Sequence, residues 1–205
     1  MKLILKINLI LFFSIFSLSY SQEKGANKLV KGILGGINLS NYSREHANAE
    51  VGFSIGGFVD YPISNKLSAK IEAKYSLKNG YISVRYNIFD ENNNLVDSFR
   101  LRPNAQMGSI DIPILFQYKI YNKFFIEAGP QISFLVNSKI KDKNKNTLYP
   151  QNIFAKTQFY GNIGIGYIIN DKISIDFLYE IGFTKNRKTL NRSINTFGLN
   201  IYYNL

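Results

Sequence analysis

Between Leu67 and Lys78 the chain runs LSAKIEAKYSLK, an unbroken two-residue alternation. Leu67, Ala69, Ile71, Ala73, Tyr75 and Leu77 take one side, and Ser68, Lys70, Glu72, Lys74, Ser76 and Lys78 take the other. Successive side chains of a β-strand point to opposite faces, so this segment demands one apolar and one polar surface. Its length suits a strand that crosses a bilayer core at a tilt, which takes roughly 9–11 residues.

The N-terminus bears on the compartment. Lys2 and Lys6, the apolar stretch from Ile7 to Leu18 and then Ser19-Tyr20-Ser21 have the layout of an export leader, with cleavage expected before Gln22. This divides the chain into a signal peptide over 1–21 and one domain over 22–205. A membrane anchor fits less well, because the apolar run falls short of the ~20 residues a spanning helix needs and Asn8, Ser14 and Ser17 dilute it. No later segment could be a spanning helix, so insertion of the mature chain has to use strands that satisfy one another's backbones.

Further stretches repeat the alternation. Candidate strands run over 29–40, 51–61, 67–78, 109–120, 124–136, 157–169, 173–184 and 193–205, an even number of eight. The connections at 62–66, 121–123 and 170–171 are short, whereas those at 41–50, 79–108, 137–156 and 185–192 are longer. In an antiparallel meander all the short connections then fall at one end and all the long ones at the other. The expected fold is all-β, an eight-stranded antiparallel up-and-down transmembrane β-barrel with short periplasmic turns and long extracellular loops.

Alternation by itself does not say which face is outside. A soluble eight-stranded barrel turns its apolar face inward, and a membrane barrel inverts it. Three features favour the inverted sense: nearly complete apolar faces on long strands, aromatic residues near strand ends (Tyr61, Tyr118, Tyr121, Phe124, Phe183, Tyr203), and a last strand that alternates up to Leu205. Fourteen tyrosines and sixteen phenylalanines supply the aromatic bands.

Several stretches together resemble the PorT-like outer-membrane β-barrel proteins of Bacteroidota. Gly57-Phe58-Val59-Asp60-Tyr61-Pro62-Ile63-Ser64-Asn65-Lys66-Leu67-Ser68, followed by Ile71-Glu72-Ala73-Lys74-Tyr75-Ser76-Leu77-Lys78, is similar to that family's Y-P-L-S-x-K-L-S…E-L-x-Y-S-x-K-G signature. Gly32 to Ser40 resembles its opening strand, Ile110 to Lys119 its Y-L-E-I-P-L-L-x-K-Y strand, and Ala128-Gly129-Pro130 the strand after that. The segment from Tyr81 to Met107 is longer than the family pattern, and Leu205 stands where many such barrels end in Phe. The resemblance implies a small barrel of a broad set, one branch of which is linked to secretion and maturation of cell-surface proteins.

With the apolar face outside, the lumen receives Lys70, Glu72, Lys74, Asp111, Lys119, Glu127, Asp176 and Glu180, together with Gln117, Gln131 and Asn200. An eight-stranded barrel is just wide enough for side chains to fill it. Buried charges of both signs are therefore expected to form a paired plug, out of reach of any substrate, and not a catalytic acid and base. A basic crown is expected from Arg44, Lys139, Lys141, Lys143, Lys145, Arg187 and Lys188, set against lipopolysaccharide phosphates; the plainer reading of the same residues is a solvated surface.

The charge of +11, or +9 without Lys2 and Lys6, asks for anionic partners. Export favours lipid over nucleic acid, since the basic residues are spread over separate loops. No cofactor is expected, and the absence of cysteine with a single histidine argues against a metal site. That histidine, His46, lies among Ser43, Arg44, Glu45 and Glu50. A lipid A-modifying enzyme would need it as a general base, and His46→Ala is the discriminating substitution.

Residues 81–107 hold YISVRYNIF and LVDSFRL around Asp90-Glu91-Asn92-Asn93-Asn94, which reads either as a hairpin or as a loop folded over the barrel mouth. It is the expected surface for a protein partner, and the last strand the expected contact for the outer-membrane assembly machinery. The expected function is thus structural or interactive, exerted by extracellular loops, and accessory to export of surface proteins.

Overall fold

The computed structural model describes residues 29–42, 49–81, 84–90, 94–101, 103–141, 147–150, 154–185 and 193–205. The expected leader, His46, Arg44, Lys143, Lys145, Arg187 and Lys188 lie outside the described residues, as does the side chain of Lys141. Eleven strands occupy the described part: β1 (Val30–Tyr42), β2 (Ala49–Pro62), β3 (Leu67–Tyr81), β4 (Val84–Phe89), β5 (Leu95–Leu101), β6 (Asn104–Tyr121), β7 (Phe124–Lys141), β8 (Thr147–Pro150), β9 (Thr157–Ile168), β10 (Ile173–Gly182) and β11 (Ile194–Asn204).

Eight of them form a closed antiparallel barrel in the order β1-β2-β3-β6-β7-β9-β10-β11. Closure is made by β11 against β1, from Gly32↔Asn204 to Tyr42↔Ile194. With every strand paired on both sides, the barrel has no free edge.

The short turns follow from their residues. Ser64 Oγ accepts a hydrogen bond from Leu67 N at 3.1 Å in the β2–β3 turn. Asn170 Oδ1 accepts from Lys172 N and Ile173 N, both at 2.9 Å, in the β9–β10 turn. Asn122, between β6 and β7, sits at a φ of 36°, in the left-handed region that asparagine tolerates better than most residues.

Alternation assigns the faces. On β3, Lys70, Glu72, Lys74, Ser76 and Lys78 are buried while Ile71 is half exposed to the outside. Around the barrel Ile55, Ile163, Phe177 and Ile201 stand outward with more than half of their surface exposed. So continuous an apolar exterior would be an aggregation hazard in water and is what a hydrocarbon surround requires. Aromatic contacts bracket this band: Phe124 with Tyr167 at 4.8 Å toward the short turns, and Tyr179 with Phe197 at 4.4 Å and Phe53 with Tyr75 at 6.2 Å toward the long loops.

Three strands lie outside the eight. The segment beyond Tyr81 does fold as a hairpin, with Val84↔Leu101 through Phe89↔Leu95. It forms its own two-stranded sheet and does not continue β3 and β6, whose pairing ends at Tyr81↔Asn104. Asp90 pins its tip, accepting from Asn94 N at 2.8 Å and donating its own N–H to Asn94 O at 2.9 Å. Strand β8, which sequence reading left inside a loop, adds to the far end of β7 at Lys139↔Pro150 and Ile140↔Tyr149. β6 and β7 are each 18 residues long and carry their pairing to Asn104↔Lys141, well past the apolar band.

Candidate functional site

The buried chemistry of the molecule lies inside the barrel, and most of its positive charge comes from one strand. The inward positions of β3 are two residues apart, so Lys70, Lys74 and Lys78 rise in a column with Glu72 between the first two. Facing strands supply Asp111 from β6, Glu127 from β7, and Asp176 and Glu180 from β10.

Lys70 Nζ lies 3.1 Å from Glu72, 3.1 Å from Glu127 and 3.5 Å from Asp176. Lys74 lies 3.3 Å from Glu72 and 3.6 Å from Glu180. Lys78 bridges Glu180 at 2.6 Å and Asp111 at 3.2 Å. Each ammonium thus serves at least two carboxylates, and each of the five carboxylates meets at least one ammonium. Desolvated ions cost several kcal/mol apiece unless they are paired in this way.

Neutral groups complete the packing. Tyr202 Oη is 2.5 Å from Asp176 Oδ2 and 2.9 Å from Glu72 Oε1, while its ring lies 3.9 Å beneath Lys70 Nζ. Tyr160 offers its face to Lys78 at 4.4 Å. Asn200 donates to Asp176 Oδ1 at 2.8 Å, and Gln117 to Glu127 Oε2 at 2.9 Å. Cation–π contacts and charged hydrogen bonds thus add to the ion pairs.

Apolar plugs close both ends of this network. Toward the short turns, Phe58 meets Tyr202 edge to face at 5.3 Å beside Leu34, and the Phe125 ring fills the space that Gly166 leaves, where a Cβ would come within 2.1 Å of it. Toward the long loops, Ala105, Met107, Ile140, Phe154 and Ile194 pack together. At the short-turn mouth a cavity of about 230 Å³ reaches in to Phe58, Tyr202 and Lys70, with Asp60, Ser68 and Lys119 also on its lining.

The structure therefore brings Lys70, Glu72, Lys74, Asp111, Glu127, Asp176 and Glu180 into one cluster. Lys119 is a correction. It has the inward parity of Asp111 and Gln117 but sits exposed at the short-turn mouth, too near the end of β6 to reach the network. Lys78 and Tyr202 were missed by sequence reading, and their parity with Lys74 and Asn200 was the signal that could have found them. Lys139 stands exposed on the projecting end of β7. Among the described residues no group of acidic, histidine or cysteine side chains is arranged to hold a metal.

Comparison with known proteins agrees with the barrel fold. A family model described as an outer membrane protein beta-barrel domain matches residues 20–187. Among solved structures, Neisserial surface protein A is 12% identical, with 88% of this chain and 100% of that chain covered and a TM-score of 0.52. Ail, the attachment invasion locus protein of Yersinia pestis, in complex with the heparin analogue sucrose octasulfate, is 12% identical over 87% of this chain and 99% of that chain, with a TM-score of 0.49. No curated protein matches the sequence.

Proposed function

The chain belongs to the outer membrane β-barrel domain family, and from that membership we propose that it is a non-enzymatic scaffold, sealed within, which acts through the structures at its long-loop end. The observation that supports this reading is the filled lumen, in which the charges of the described residues are held by ion pairs and packed between apolar side chains at both ends. What remains for function is outside. The β4–β5 hairpin stands apart from the barrel sheet, with Ile88, Leu95 and Val96 about half exposed or more. Apolar side chains on a separate ribbon beyond the membrane suit a protein partner that adds to its edge or covers its face.

The resemblance to PorT-like barrels supports a finer reading, in which this partner belongs to the secretion or maturation of cell-surface proteins. On the same reading Lys139, with Arg44, Lys141, Lys143, Lys145, Arg187 and Lys188, faces lipopolysaccharide phosphates, and β11 is the strand met by the outer-membrane assembly machinery.

The test removes the hairpin and keeps the barrel. In the full-length protein a cysteine at Val96 is expected to crosslink a partner on intact cells, and replacing residues 84–101 by a short polar linker is expected to leave a heat-modifiable outer-membrane protein and to abolish normal display of surface proteins. Unchanged surface display together with no crosslinked product from the full-length protein would end the proposal.

A further inference from the structure

The short-turn end carries lysines on its turns and strand ends. Lys66 closes the β2–β3 turn, and its carbonyl accepts from Lys119 N of β6 at 2.8 Å. Lys123 closes the β6–β7 turn, its carbonyl accepting from Ile168 N of β9 at 2.8 Å. Lys172, in the β9–β10 turn, accepts from Asn204 N of β11 at 2.8 Å, and Lys31 of β1 accepts from Leu205 N at 2.9 Å and pairs with Val59 of β2. Taken in order round the barrel, each of the eight strand junctions has one of these five lysines on it.

All five side chains are exposed. The side-chain carboxylates among the described residues at this rim are Asp171 and Asp60, the latter half-buried at the cavity mouth with one oxygen unpartnered. One rung above, Tyr61, Tyr118 and Tyr203 face outward, 51%, 46% and 40% exposed, and Tyr121 stands 70% exposed at the β6–β7 turn. Tyrosines mark the level at which an apolar exterior meets headgroups. The backbone fixes where each lysine emerges, and the tyrosines fix how deep the bilayer comes.

We infer that this rim is a collar for anionic glycerophospholipid, the ammonium groups of Lys31, Lys66, Lys123 and Lys172 reaching the phosphodiesters of the periplasmic leaflet around the whole circumference, while Lys119, of inward parity, stands at the cavity mouth. The charge lies at headgroup depth, is spread evenly over the junctions and is not gathered into a pocket. Lys123 donates to Ile169 O at 2.9 Å and keeps two further hydrogens for phosphate. Such a collar recognises a charged surface, not one bound molecule, and it is independent of what the hairpin binds.

The experiment measures lipid selectivity in the full-length protein reconstituted into phosphatidylcholine vesicles doped with phosphatidylglycerol. Spin-labelled phosphatidylglycerol and phosphatidylcholine report the annular lipid. Wild-type protein is expected to favour the anionic lipid about fivefold, which is what a gain of roughly 1 kcal/mol per engaged lysine supplies, and to lose the preference as salt is added. Replacing Lys31, Lys66, Lys123 and Lys172 together by glutamine should bring the ratio to near one, and replacing all four by arginine should preserve it. Heat-modifiability checks that each variant is folded. A glutamine variant with the wild-type ratio would overturn the inference. So would a wild-type protein without lipid preference whose lysines instead retain soluble acidic glycan fragments, an outcome that would assign the rim to the cell wall.

Discussion

Lys70 places its ammonium within 3.5 Å of three carboxylates drawn from three strands. Its replacement by methionine keeps the volume, leaves Glu127 and Asp176 without their ammonium and Glu72 with Lys74 alone, and costs about 3–5 kcal/mol for a broken buried pair. Urea unfolding in phospholipid vesicles should show that loss for Lys70→Met, while Lys119→Gln, exposed at the mouth, should stay within about 0.5 kcal/mol of wild type. The contrast shows what alternation can and cannot say. Parity told which side of the sheet a residue takes, and so found Glu72, Asp111 and Asp176. It holds no information on depth, and Lys119 has the right parity at the wrong height. Tyr202 was hidden for another reason: between Ile201 and Tyr203 it reads as one more apolar residue, and only its hydroxyl against Asp176 and Glu72 shows that it belongs to the polar side.

The strands were legible where lipid imposed a pattern and illegible where it stopped. β6 and β7 were read as beginning at 109 and ending at 136, yet they run from Asn104 and to Lys141. Beyond the apolar band an outward residue has no need to be apolar, so Asn104, Gln106, Asn137 and Lys139 break the rhythm although pairing continues. β8 was missed because four residues ending in Pro150 carry no periodicity; it exists only as an addition to the projecting edge of β7. The hairpin, in contrast, had its own signature, an Asp/Asn-rich tip between two runs rich in β-branched and aromatic residues. The lipid face itself can be tested on β2. Ile55, near the middle of the strand and 62% exposed, becomes costly as arginine by about 2–4 kcal/mol, whereas Ala49→Arg at the loop end of the same strand should cost about 0–1 kcal/mol. Equal costs at both positions would mean that this face does not meet hydrocarbon.

At the scale of the whole molecule the plugged lumen predicts electrical silence: planar bilayers containing the purified protein should show no steady conductance, and a reproducible open level would contradict the packing of both end plugs. The column of lysines on β3 also constrains time. Lys70 and Asp176 are separated by 106 residues, and Lys78 and Glu180 by 102. A chain that entered the bilayer one strand after another would carry three ammonium groups with Glu72 as their one carboxylate into hydrocarbon before β6, β7 and β10 brought Asp111, Glu127, Asp176 and Glu180, and each uncompensated ammonium costs roughly 2.5–3.5 kcal/mol there. Neutralisation is therefore a late and collective event. The order of synthesis is then not the order of insertion, and β3 has to meet the acid-bearing strands β6, β7 and β10, across a nearly complete sheet, before its lysines can cross.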